Sequence, residues 1–207
     1  MIDGVHLPVL QVVVPLVCAP LIVLVRRSRA GWAIAVAASV FFLVSSIVIL
    51  QEVQRAGVIS YAIGNWPAPW GIEYRIDAAN AFMLVLLGFV AAVVAPYAWA
   101  SVRVEVPREN HYLFYALYCL ALAGLGGITV TGDAFNLFVF LEISSLASYV
   151  LIALDRDRRA LLAAYQYLIL GTIGATFIVI GVGLLYLMTG TLNLADIATR
   201  LGDVRQS

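Results

Sequence analysis

Charge is almost wholly excluded from six long apolar runs: Leu7–Val25, Ala30–Leu50, Ala79–Ala100, His111–Thr131, Ala134–Leu154 and Leu161–Met188. These runs take up well over half of the 207 residues, so a random scatter would put more than half of the 24 Arg, Asp and Glu residues inside them. Only Glu142 is there. Runs of about 17–25 apolar residues can cross the hydrocarbon of a bilayer as helices, which satisfy their own backbone N–H and C=O groups. The sequence therefore predicts an all-α integral membrane protein with six transmembrane helices. Composition agrees: 63% of the residues are hydrophobic and 12% charged, against about 25% charged in a soluble domain.

These properties exclude an ordinary soluble enzyme and a disordered tail. The 12 basic residues, all of them arginine, are balanced by 12 acidic ones, so no basic face is left for a nucleic-acid partner. Cys18 and Cys119 both fall in apolar runs, which argues against a disulfide framework or a cysteine metal site. Leu7–Val25 is followed, not preceded, by its basic cluster (Arg26, Arg27, Arg29), so it is expected to be a true helix, bent near Pro15 or Pro20, and not a cleaved leader. Arginine counts on alternate sides set the expected topology. Arg26, Arg27, Arg29, Arg103, Arg108, Arg156, Arg158 and Arg159 share one side, and Arg55, Arg75, Arg200 and Arg205 the other. The positive-inside rule then puts both termini outside the cell membrane.

The longest connection, residues 51–78, has a pattern of its own. Ile59, Tyr61 and Ile63 alternate with polar or small residues, as do Ile72, Tyr74 and Ile76, around the turn-forming stretch Gly64 to Gly71. Two period-2 runs about such a stretch predict either a β-hairpin or an irregular interfacial loop, with Trp66 and Trp70 at headgroup level. No internal repeat, low-complexity tract or separate soluble domain is expected within the chain.

Glu142 is the leading functional candidate, because an acid in mid-membrane is costly and usually marks an ion or proton pathway. Ser145 and Tyr149 follow one and two turns on, within about 60° of it on the helix. The three make a polar stripe that lipid cannot solvate and that should face other helices or internal water. The plainer alternative is a neutral glutamic acid bonded to a neighbouring helix. Tyr165, Gln166, Thr172 and Thr176 add polar groups to the last run, where helix packing is the favoured role. His111 opens the fourth run on the arginine-rich side and could pass protons inward, or be an ordinary helix-start histidine. Asp133 is placed to cap the fifth helix. Gly124, Gly126 and Gly127 only superficially suggest a phosphate loop; inside an apolar helix they predict close packing. No nucleophile–base set, metal cluster or intramembrane histidine pair is present, so catalysis by this chain alone is not expected.

The stretch Thr131-Gly132-Asp133-Ala134-Phe135-Asn136-Leu137-Phe138-Val139-Phe140-Leu141-Glu142, continuing to Leu154, resembles the proton-translocating antiporter-like family. That family holds the D-type component of Mrp sodium/proton antiporters and the membrane-arm subunits of respiratory complex I and membrane-bound hydrogenases. Ala164 to Gly171 and Gly190 to Asp196 are similar to the segments that follow there, while Trp66 to Ile72 and Asp77 look most like the Mrp branch. The resemblance implies a bundle of about fourteen helices built on two inverted repeats of five. Residues 1–131 would supply the first four helices and the loop, and residues 132–207 the start of the proton-translocating domain. The family's buried glutamate maps onto Glu142, and its partner is a lysine on a seventh helix. This chain has no lysine, and Gln166 stands where the family often has one. The chain thus resembles the N-terminal part of a longer or split subunit. What the resemblance implies is a subunit of a monovalent cation/proton antiporter, with sodium the expected cation. It would need other membrane subunits and no cofactor. The alternative is a proton-pumping membrane-arm subunit of an NADH dehydrogenase-type complex or hydrogenase.

Overall fold

The structure, a computed structural model, describes residues 6–155 and 157–204. Arg156 and Arg205, two of the arginines counted for the topology, lie outside the described residues. Six long helices run through the molecule: α1 (Leu7–Val25), α2 (Ser28–Ala56), α3 (Ala78–Glu105), α4 (His111–Val130), α5 (Ala134–Ala153) and α6 (Arg158–Thr189). All six are long and apolar enough to cross a membrane. The chain is a multi-pass integral membrane protein. Helices α2, α3 and α6 outrun their apolar runs because Glu52, Arg55, Arg103, Glu105 and Arg158 continue them past the hydrocarbon. Long charged side chains there reach the headgroups without breaking the helix.

A strand β1 (Ile59–Ala62) pairs antiparallel with β2 (Glu73–Ile76), setting Ile59 against Ile76 and Tyr61 against Tyr74. Of the two forms the alternation allows, the structure has the hairpin, although Ile63 has left the strand for a short 3-10 turn. Its amide still donates to the Ile72 carbonyl at 2.9 Å. Trp66 and Trp70 are exposed at the tip. The hairpin lies at one end of the bundle, called here the hairpin side; the connections α1–α2, α3–α4 and α5–α6 form the opposite, arginine-rich side.

Lipid is as apolar as leucine, so these helices gain little from burying apolar surface against one another, and close approach through small residues must hold them. Glycine supplies it. A side chain at Gly88 of α3 would strike the α2 backbone at Leu43, and at Gly124 of α4 it would strike Ser144 of α5. Gly126 and Gly127 of α4 make room for the rings of Phe42 and Phe140. The glycine cluster is a packing device. One core, with Phe42, Ile49, Leu84, Leu122 and Phe140, fills the hairpin-side half; a second, with Ile22, Ala35, Val102 and Tyr115, fills the other. Helix α1 runs continuously through Pro15 and Pro20. Within it Gln11 is fully buried: its amide Nε2 donates to the Phe42 carbonyl at 3.0 Å and to Ser46, and its Oε1 accepts from Ser45. Helix α6 packs on α5 and leaves most of its surface uncovered, Tyr165, Gln166, Thr172 and Thr176 included.

A short helix that no apolar run signalled, α7 (Leu194–Val204), follows the last span. Arg200 on it donates to the Thr189 carbonyl at the end of α6 (2.9 Å) and pairs with Asp196 (2.9 Å). The hydrogen bond from Arg200, more than any other influence, holds the Asp196 carboxyl below the usual carboxylate range.

Candidate functional site

Helix α5 starts from a layer of extended backbone on the hairpin side. The Gly132 amide donates to the Glu73 carbonyl (2.8 Å), Ala134 to Leu192 (2.9 Å) and Leu194 to Gly132 (2.9 Å). The hairpin, the α4–α5 link and the α6–α7 link are thereby tied together. Thr131-Gly132-Asp133 and Thr191-Leu192-Asn193 do the same work in both links. In each, the Thr hydroxyl accepts from the third residue's amide (3.2 and 3.3 Å), and that residue's side chain accepts from the first turn of the helix that follows. Asp133 is thus the α5 cap expected from its position. The buried Glu73 carboxylate closes the layer, accepting from Ser60 on β1 and from the Asn193 amide at 2.8 Å. Beside it Tyr74 is buried against Phe140, and burial pushes its hydroxyl up to about 12 despite a hydrogen bond from Asn136. Tyr74 stays protonated at any physiological pH.

Down α5, Phe140 and Ser144 face α4, so the stripe of Glu142, Ser145 and Tyr149 lies on the side turned away from α4, towards α6. Tyr149 is buried. Its hydroxyl occupies the space that a side chain at Gly171 of α6 would need, and its ring meets Tyr167 edge-on at 4.7 Å. Glu142 and Ser145 are half-buried, and among the described residues no hydrogen bond or ion pair reaches the Glu142 carboxylate. The helix places the three side chains on one face without joining them directly. Glu142 sits about 12 Å along a helix of about 30 Å from its hairpin-side end.

His111 is buried at the start of α4 and donates from Nε2 to the Val106 carbonyl at 2.8 Å. It braces the α3–α4 turn. Sequence reasoning missed Tyr167 and Gly171, which hold Tyr149, and the pair Glu73–Asn193. The recurring Thr-x-Asx ahead of a helix was the available signal for Asn193.

Residues 131–207, from the α5 cap onward, match the family described as NADH:quinone oxidoreductase/Mrp antiporter, TM. The similarity extends over nearly the whole chain in individual relatives. NADH-quinone oxidoreductase subunit N of Desulforudis audaxviator is 46% identical over 207 residues, covering 98% of this chain and 40% of the relative. Over nearly its whole length the chain is similar to this membrane subunit. The D component of the Na(+)/H(+) antiporter of Alkalihalophilus pseudofirmus is 33% identical, covering 98% of this chain and 41% of the relative. Among solved structures, a chain of the membrane-bound sulfane sulfur reductase, an archaeal respiratory membrane complex, superposes with a TM-score of 0.86 at 30% identity, over 96% of this chain and 41% of that one. A chain of the Mrp complex from Dietzia sp. DQ12-45-1b gives 0.84 at 26%, over 99% and 40%. The chain spans about two-fifths of the length of the curated relatives it matches.

Proposed function

We propose that these residues form the proton-carrying part of a subunit of a multisubunit monovalent cation/proton antiporter, with Glu142 as the titrating group. One observation carries the reading: Glu142 is the only Arg, Asp or Glu within the six apolar runs, and it lies on the helix that opens the family match. A carboxyl group held between helices without a fixed partner can take up and release a proton as charges around it move. Ser145 and Tyr149 support it on the same stripe, and His111 marks a proton entry on the arginine-rich side. In this reading residues 1–131 are a scaffold and 132–207 the start of the conducting domain. Sodium is the cation, other membrane subunits complete the path, and both termini lie outside the cell membrane.

A second reading, a proton-pumping membrane-arm subunit powered by electron transfer elsewhere, is favoured by the 46% identity to an NADH-quinone oxidoreductase component. The stretch Trp66 to Ile72 favours the antiporter. Exchange in vesicles carrying all subunits, with and without a quinone-linked electron donor, separates the two. In that assembly Glu142→Gln keeps the shape of the side chain and removes its proton. Cation-driven pH change is expected to fall about a hundredfold with assembly intact, while Glu142→Asp retains part of the activity and Ser145→Ala most of it. Wild-type exchange by Glu142→Gln would reduce the residue to a packing role.

A further inference from the structure

The face of α5 that bears Glu142 is unlike itself on its two sides. Towards the arginine-rich side it carries the hydroxyls of Ser145 and Tyr149. Towards the hairpin side it carries Phe138, one turn away and about 40° round the helix, and Phe135, two turns away and about 20° round. These two rings touch, with centroids 6.0 Å apart and planes inclined at 39°. Helix α6 repeats the asymmetry. The contact of Tyr149 with Gly171 sets the antiparallel register, which brings Ile178 level with Glu142 and Leu185–Tyr186 level with Phe135. From Phe177 to Leu185, α6 has no polar side chain, whereas Tyr165, Gln166, Tyr167, Thr172 and Thr176 all lie on the arginine-rich side of that level.

On the hairpin side a cavity of about 360 Å³ opens between the links. Asp133, Thr191, Trp70 and Tyr186 give it a partly polar wall, and Phe135 is part of its lining. Phe135 borders this cavity, Phe138 follows it one turn along the helix, and the carboxylate lies about 6 Å beyond Phe138. Two adjoining aromatic rings make an apolar constriction of the kind that stops water and ions by dewetting.

We propose that Phe135 and Phe138 form an aromatic barrier that separates the hairpin-side cavity from Glu142. The barrier keeps the glutamate from exchanging protons with that side, so a proton leaving Glu142 towards the hairpin side has to take a path other than its own helix face. Without such a barrier a mid-membrane acid open to both sides would leak protons and dissipate the gradient. The inference rests on Glu142 as the proton carrier, but its test does not.

The test uses the complete assembly in vesicles, with Cys18 and Cys119 replaced by alanine. Single cysteines are introduced at Tyr186, in the cavity, and at Ser145, beyond the barrier, and a membrane-impermeant thiol reagent is added from the hairpin side. With both phenylalanines present, Tyr186→Cys labels quickly and Ser145→Cys at least about tenfold more slowly. Adding Phe135→Ala and Phe138→Ala raises the Ser145→Cys rate by an order of magnitude, and passive proton leak rises with it; Phe138→Trp leaves both low. Equal labelling at the two positions with the rings intact overturns the barrier even if the alanine pair fails to assemble. So does an assembled alanine pair that labels no faster. Loss of the Glu142 assignment would show separately, as exchange that survives Glu142→Gln.

Discussion

Gly127 and Gly174 differ in what surrounds them, and the difference sets opposite expectations for the same substitution. A methyl group at Gly127 would collide with the Phe140 ring, which is itself wedged between α4 and Tyr74. Gly174 on α6 has no neighbour for such a methyl group within 4 Å. Gly127→Ala is expected to destabilise the fold by about 1–3 kcal/mol through overpacking, whereas Gly174→Ala should be neutral or slightly stabilising because alanine favours the helix. Thermal unfolding in detergent, monitored by circular dichroism, checks both. At this scale the sequence was informative where a residue was costly or out of place. Glu142 stood out by its charge, Asp133 by its position before a helix, and the glycine cluster by its apolar setting. The burial of His111 was not legible, because its partner is a backbone carbonyl, and carbonyls leave no trace in a sequence. Phe135 and Phe138 were hidden too, since aromatic residues in an apolar helix look like ordinary packing until their neighbours are seen.

Helices and strands were legible to the extent that periodicity or apolar length announced them. All six spans and the hairpin fall where the runs and the alternation put them. Helix α7 did not: Leu194, Ile197 and Leu201 repeat at helical spacing but over too few residues to make an apolar run, while Asn193 caps its start, Arg200 ties it to the end of α6 and Ile197 is buried. Asn193 holds the layer on the hairpin side in two ways at once, through the Glu73 carboxylate and through the amides of Ala195 and Asp196. Asn193→Ala is expected to lose a cap contribution of about 1 kcal/mol and a charge-assisted hydrogen bond of about 1.5–3 kcal/mol. The readout is hydrogen exchange at the Ala134 and Leu194 amides, which should speed up while amides in the middle of α2 and α4 keep their protection. Unchanged exchange at both would show that the backbone bonds hold the layer without the side chain.

Over the whole molecule, the helices form a graded assembly, with α4 enclosed by α1, α2, α3 and α5, and α6 at the margin. Asn65 at the hairpin tip and Arg158 at the start of α6 are both exposed and lie on opposite sides. Cysteines at these positions should react with an impermeant reagent from opposite faces of the membrane, Asn65→Cys from outside, and labelling from the same face would refute the six-pass arrangement. The alternation of arginines predicts which face is which; the fold supplies the two faces themselves.

The buried knot of Gln11, Ser45 and Ser46 bears on how such a chain reaches this arrangement. Greasy helices in lipid slide and rotate against each other at little cost, so apolar contact alone is a poor guide to depth. A slip of one turn between α1 and α2 would carry the Gln11 amide about 5.4 Å from both serines and strand it in hydrocarbon. Helices α1 and α2 therefore have a single comfortable alignment. The same Phe42 whose carbonyl receives the Gln11 amide presents its ring to Gly126. The alignment of α1 with α2 thereby also fixes the seat of α4.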